Sequence, residues 1–337
     1  SGMIFFFFFR PGGVVFLYDD PAYLEMLAEV MPEHWFILLF TRPADCIAYL
    51  QQEPAEREAD SWRQMDILDK WRSGQGLIPQ ILRYWREAAT WRFGLAQVCV
   101  VDYSMPAMNG LQVLEELGDW PGARVLLTGR ADEQIAVQAF NASLIEQYVP
   151  KQASEITRRL AQSIQRLLDD PLGRQAQGWR ATLSREQMAM ISNPQIGRQL
   201  QALAEAHRWI EHVVIGDPFG VLALDDSGQA FWLQLEHASR LEALVEMAAS
   251  VGLSGAEIQA IRDGQHLFDG EFHLAIGSDR PGLLPAMALG ERMLATVSKV
   301  PETLGPGPER AYARFLRDHV SRELDDETPL VGAFSQA

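Results

Sequence analysis

Five short apolar runs, with helical stretches between them, limit the first half of this chain to one kind of architecture. The runs are Val14–Tyr18, Trp35–Thr41, Val98–Val101, Arg124–Leu127 and Ile145–Val149. Continuous apolar runs mark strands buried on both faces of a sheet. Helices are expected between them. These are Ala22–Val30 behind Pro21, a helix near Ala44–Gln51, Leu111–Leu117, Ala131–Ala142 and Ala153–Leu168. In the last, Ile156, Leu160, Ile164 and Leu167 share one face. Strands alternating with helices predict a parallel, doubly wound α/β sheet.

Polar residues gather at the ends of these runs. Asp19 and Asp20 close the first, Asp102 the third and Thr128 the fourth, and Lys151 follows the fifth. Folding would bring them to the carboxyl edge of the sheet, where ligands of open α/β sheets bind. Carboxylates can hold Mg²⁺ through oxygen. Metal and lysine neutralise charge on a transferring phosphoryl group. A hydroxyl can hydrogen-bond a phosphoryl oxygen, and the nearest carboxylate can act as nucleophile. Lysine is rare here (Lys70, Lys151 and Lys299), so one at this place is informative.

The segment Val98–Gly110, VCVVDYSMPAMNG, resembles the phosphoacceptor segment of response-regulator receiver domains, D-x-x-M-P-x-x-[ND]-G. Asp102, Met105, Pro106, Asn109 and Gly110 carry the match. Thr128 lies 26 residues after Asp102 and Lys151 23 residues after Thr128, each fitting one βα step. The resemblance implies a flavodoxin-like (βα)5 receiver domain with Asp102 as phosphoacceptor. It implies Mg²⁺ held by Asp19, Asp20, Asp102 and the Ser104 backbone carbonyl, with Asp20 the more direct ligand of the pair. Thr128 matches the switch hydroxyl, Tyr148 the aromatic switch residue and Lys151 the phosphate-binding lysine. The implied partner is a sensor histidine kinase or phosphotransfer protein.

Two departures from the receiver pattern stand out. Pro150 precedes Lys151 and Gln152 follows it, whereas receivers usually place Pro directly after the lysine. Asp20 and Asp102 are 82 residues apart, where two βα steps of about 30 residues each would suffice. The excess, about 53–97, holds Trp62, Trp71, Trp85 and Trp91. Helices Ser61–Arg72 and Pro79–Trp91 fit it, joined at Ser73–Gly76. They read either as a hairpin packed on its own receiver or as a docking or dimerisation surface, since Trp favours interface hot spots.

The expected domains are a receiver at 3–168, a linker and helix at 169–212, an α+β domain at 213–324 and a mobile tail at 325–337. Within the second half, Ser184 and Gln187 form a capping-box pair. A helix is expected over Gln195–His212, with Ile196, Leu200, Leu203, His207 and Ile210 at heptad spacing. It packs either on its own domain or in a dimer seam. Val221–Leu224, Ala230–Leu235 and Phe272–Ile276 read as strands. Ala238–Ser250, Ser254–Arg262, Leu283–Lys299 and Ala311–Leu324 read as helices. The order is loosely similar to PAS-type sensory domains. His207, His212, His266 and His273 read as solvated or capping residues.

Charge narrows the function. The chain carries −16, of which −10 falls from Arg185 onward (12 basic against 22 acidic residues). That argues against nucleic-acid binding, whose affinity comes largely from Lys and Arg. Cys46 and Cys99 lack metal-ligand spacing and read as reduced core thiols. Ile4–Phe9 is far short of the roughly 20 residues that span a bilayer, and Ser1-Gly2 before Met3 reads as a cloning remnant. No Walker loop, Gly-x-Ser-x-Gly elbow or zinc-ligand pair occurs. The expectation is a cytoplasmic, homodimeric two-component response regulator with a non-DNA-binding interaction or sensory output and no membrane anchor. The alternatives are a receiver-controlled enzyme and a phosphorylation-independent scaffold.

Overall fold

The computed structural model describes residues 5–169 and 173–320. The expected tail at 325–337 and the end of the Ala311–Leu324 helix lie outside them. In chain order the elements are β1 (Phe8–Phe9), β2 (Gly13–Leu17), α1 (Pro21–Val30), β3 (Phe36–Phe40), α2 (Pro43–Arg72), α3 (Leu77–Glu87), β4 (Ala96–Asp102), α4 (Gly110–Glu116), β5 (Ala123–Thr128), α5 (Glu133–Asn141), β6 (Gln147–Pro150) and α6 (Ile156–Asp169). There follow α7 (Gly173–Arg180), α8 (Arg185–Ser192), α9 (Pro194–Ala206), β7 (Trp209–Gly216), β8 (Phe219–Asp225), β9 (Ala230–His237), α10 (Leu241–Ser250), α11 (Gly255–Arg262), β10 (His266–Phe268), α12 (Gly270–Ala275), β11 (Leu283–Pro285), β12 (Met287–Leu289), β13 (Met293–Lys299) and α13 (Tyr312–Val320).

The chain forms two compact units. Among the described residues, one takes 11–61, 89–169 and 315–320; the other takes 5–10, 62–88 and 173–314. The first is built on a parallel sheet in the order β3-β2-β4-β5-β6. Its central strands β2 and β4 are buried on both faces, as their unbroken apolar runs require. Leu24 and Leu27 of α1 and Leu160 and Ile164 of α6 pack with Val14, Phe16, Val98, Val100, Val125 and Leu127.

A buried carboxylate ties α2 to this sheet. Glu53 is fully buried; its Oε1 accepts the Ala96 N–H at 2.8 Å, and its Oε2 accepts from Arg57 Nη2 at 3.3 Å and Trp120 Nε1 at 3.4 Å. Burial pushes its pKa up, against the pull of Arg57's charge and the Ala96 N–H. Glu53→Leu would strand the Ala96 and Trp120 N–H groups, at a cost of about 3 kcal/mol, whereas Glu53→Gln keeps an acceptor and loses less. Denaturant unfolding checks this, and equal stabilities for the two variants would contradict it. The helices expected at Ala44–Gln51 and Ser61–Arg72 are one helix, α2, running through Pro54. Pro54 is exposed, so its ring meets no core.

The second unit is an antiparallel sheet in the order β1-β7-β8-β9-β13-β12, with a two-stranded β10-β11 ribbon. Its core claims the middle of the excess segment, within Trp62–Ala88. Leu77, Ile78, Ile81, Leu82 and Trp85 of α3 pack with Val213, Ile215, Leu222, Leu224 and Trp232. The apolar face of α3 is therefore interior to the antiparallel unit, while Trp91, at the end of the expected hairpin, lies edge-on to Phe36 of β3 at 6.4 Å. Phe8 and Phe9 also belong here, paired with Val213 and His212. A unit boundary read from continuous sequence misses both transfers.

Other expectations are corrected. The helix expected at Gln195–His212 ends at Ala206, because Arg208 turns left-handed (φ 57°) and Trp209 enters β7. Ile196 and Leu200 are buried in their own unit with Val214 and Phe231, so the heptad is no exposed seam. Leu283–Lys299 is three strands, not a helix: Gly290 takes a left-handed turn (φ 59°), and β13 pairs along β9 from Met293↔His237 to Lys299↔Phe231. Phe272–Ile276 is mostly helical, with Phe272 stacked 6.1 Å from Trp232. His212 is buried, not solvated; its Nε2 lies 2.8 Å from the Phe6 carbonyl, and its ring stacks on Phe5 at 4.2 Å. His273 joins Asp269 at 2.9 Å and Ser278 at 2.8 Å, fastening the loop after α12. Among the described residues, no helix is long and apolar enough to cross a membrane.

Candidate functional site

Three adjacent strand ends build the site. Asp102 is the last residue of β4 and is 1% exposed. The Tyr103 N–H donates to the Leu127 carbonyl at 2.9 Å, and the Lys151 N–H to the Thr128 carbonyl at 2.8 Å. Strand register thus brings Asp102, Thr128 and Lys151 together. Lys151 Nζ donates to Asp102 Oδ1 at 2.8 Å. Thr128 is fully buried, and its Oγ1 has no hydrogen-bond partner among the described residues. A buried hydroxyl without a partner costs free energy, so it stands ready for an acceptor arriving beside Asp102.

The loop after Asp102 explains Asn109-Gly110. Asn109 caps α4, with a reciprocal bond between its own N–H and the Gln112 side chain. A Cβ on Gly110 would stand 2.4 Å from the Asp102 carbonyl oxygen, so only glycine fits. The Ser104 hydroxyl donates to Asp132 Oδ2 at 3.1 Å, linking this loop to the one after Thr128.

The charges are coupled. Burial raises the Asp102 pKa and the charge of Asp19 adds to it, while the hydrogen bond and charge of Lys151 and the Ser104 N–H pull it down without prevailing. Burial works to lower Lys151, but its hydrogen bond to Asp102 and the charge there outweigh this, so its pKa is raised. The acidic pair divides its work. Asp19 is felt at Asp102, whereas Asp20 caps α1, its Oδ1 accepting the Ala22 N–H at 3.0 Å. Tyr148 is half-buried, its ring edge-on to Phe140 at 6.2 Å.

The donor set suits a hard divalent cation. Among the described residues no three His, Cys, Asp or Glu side chains converge as a metal site. Mg²⁺ commonly uses one or two carboxylates and completes its shell with water and phosphate oxygens. Asp19 and Asp102 offer two oxygen ligands whose mutual repulsion a cation would relieve.

Sequence reasoning passed over Tyr18 and Asp132. Tyr18 reads as the end of an apolar run, yet its ring faces Lys151. Asp132 carries no motif, and its bond to Ser104 appears only once two loops are folded together.

No family model and no curated protein matches the chain. Among solved structures it is similar to the Legionella pneumophila response regulator LqsR. The two are 19% identical, the match covers 97% of this chain and 98% of that one, and the TM-score is 0.67. It also matches a CheY-like response regulator receiver domain from Methanospirillum hungatei JF-1, at 15% identity over 48% of this chain and 95% of that one, TM-score 0.30. A signal receiver domain from Vibrio parahaemolyticus matches at 16% identity over 47% and 90%, TM-score 0.31. At 19% identity the likeness to the LqsR structure establishes fold alone. The parallel unit has the flavodoxin-like receiver fold, and a separate antiparallel α+β unit accompanies it.

Proposed function

We propose that this chain is a two-component response regulator that accepts a phosphoryl group on Asp102 from a phosphohistidine of a sensor kinase or phosphotransfer protein. The observation that carries the reading is the buried Asp102–Lys151 pair at 2.8 Å beside the unpartnered Thr128 hydroxyl. An Asp102 oxygen forms the new P–O bond as the donor's N–P bond breaks, and the imidazole keeps that electron pair and leaves. Lys151 turns its ammonium to the phosphoryl oxygens, and the Thr128 hydroxyl donates to one of them. Asp19 and Asp102 would hold Mg²⁺, with Asp20 and the Ser104 carbonyl as further ligands by the receiver resemblance. The metal's chemistry is to neutralise charge on the phosphoryl oxygens. Movement of Thr128 and half-buried Tyr148 then changes one receiver face.

The acidic second half supports an output through protein contact or sensing in a homodimer, not nucleic-acid binding. Beryllofluoride, which mimics an aspartyl phosphate, tests the acceptor role. With Mg²⁺ it is expected to bind the wild-type chain saturably and to lose at least about 100-fold in affinity with Asp102→Asn, an estimate from removing a charge-assisted contact. Failure of the wild type to bind in Mg²⁺ would overturn the proposal.

A further inference from the structure

We infer that Tyr18 is a positioning residue that holds the Lys151 ammonium at Asp102 through its aromatic face, an inference that rests on the acceptor role proposed for Asp102. Lys151 Nζ lies 5.3 Å from the Tyr18 ring centroid while it contacts Asp102 Oδ1 at 2.8 Å. This is within the roughly 6 Å over which a ring face attracts a cation. The Lys151 side chain is only 21% exposed, so water screens the attraction weakly.

The ring is itself held in place. Tyr18 follows β2 directly, so the strand that delivers Asp19 delivers the ring too. Its centroid lies 4.5 Å from that of Tyr23 in the first turn of α1, at an interplanar angle of 32°.

Lys151 therefore has two partners of different kinds. The carboxylate changes when the phosphoryl group arrives: one oxygen becomes the ester oxygen, and the negative charge moves outward onto the phosphoryl. The ring does not change. It keeps the ammonium within reach of the site before and after transfer, so Lys151 need not be recaptured from solvent. A leucine at this place would bury similar surface but offer no such attraction.

The test uses the full chain with Tyr18→Leu and the near-isosteric Tyr18→Phe. Two quantities are read: beryllofluoride affinity in Mg²⁺, and the Lys151 pKa by NMR of the side-chain ε-methylene, with only three lysines to assign. Tyr18→Leu is expected to weaken beryllofluoride about three- to tenfold and to lower the Lys151 pKa. Tyr18→Phe, which keeps the ring face, should stay within about twofold of wild type. The inference is overturned if Tyr18→Leu leaves both quantities unchanged, or if Tyr18→Phe loses as much as Tyr18→Leu. A wild type that binds no beryllofluoride would sink the acceptor reading instead, and the Lys151 pKa would still decide whether Tyr18 holds the ammonium.

Discussion

Trp85→Ala is expected to strip about 4 kcal/mol from the antiparallel unit, a large share of an ordinary domain's stability. Trp85 sits in α3, 3% exposed, among Ile81, Leu82 and the inner faces of β7, β8 and β9. The indole leaves a cavity that no neighbouring main chain can fill, because the surrounding positions are strand and helix interiors. Amide hydrogen exchange locates the damage. Protection should fall first along β7–β9, while the amides of β4 and β5 keep theirs longer. The opposite order would mean that the tryptophan-rich segment supports the parallel sheet. An adjacent surface change, Glu87→Ala, should stay within about 0.5 kcal/mol, since Glu87 is exposed.

The second large effect is a hidden pH dependence. Burial pulls the His212 pKa down to about 4, with the Phe6 carbonyl only partly opposing it. An unfolded histidine titrates near 6.5. The stability that neutral His212 brings is therefore complete above pH 6.5 and lost as pH falls toward 4, about 3 kcal/mol in all. Glu236 behaves oppositely. Burial first, then the charge of Glu271, push it up to about 7, against Gln234 and Arg240. An unfolded glutamate titrates near 4.5, so the folded chain gains about 3 kcal/mol as pH falls from 7 to 4.5. In the wild type the two slopes nearly cancel between pH 6.5 and 4.5. Glu236→Gln removes the compensation. Its unfolding free energy is expected to drop by roughly 3 kcal/mol relative to wild type's own change over that window. Parallel pH profiles for wild type and variant would refute the assignment of Glu236.

Much of the parallel unit was legible because its signals are local. Each strand announced itself as an unbroken apolar run, and Asp102, Thr128 and Lys151 stand where such runs stop. Register then placed them side by side without any long-range inference. The antiparallel unit was harder for a stated reason. Leu283–Lys299 has enough leucine, methionine and alanine to read as helix, and pairing with β9 overrides that local preference. His212 looked solvated because nothing nearby in sequence covers it; the cover is Phe5 and Phe6, some two hundred residues earlier. The fate of α3 was equally invisible, since an amphipathic helix does not say which core it will join.

That borrowed helix has a consequence for how the protein is made. Trp85 and its neighbours leave the ribosome about 130–150 residues before the strands that will cover them. At typical synthesis rates of about 5–20 residues per second, the wait is on the order of ten seconds. Throughout that interval the nascent chain shows Leu77, Ile78, Ile81, Leu82 and Trp85 as one greasy stripe, with β7, β8 and β9 not yet made to cover it. The demand this places on chaperones is written into the order of the chain, and a circular permutation that puts α3 after β9 would shorten the wait.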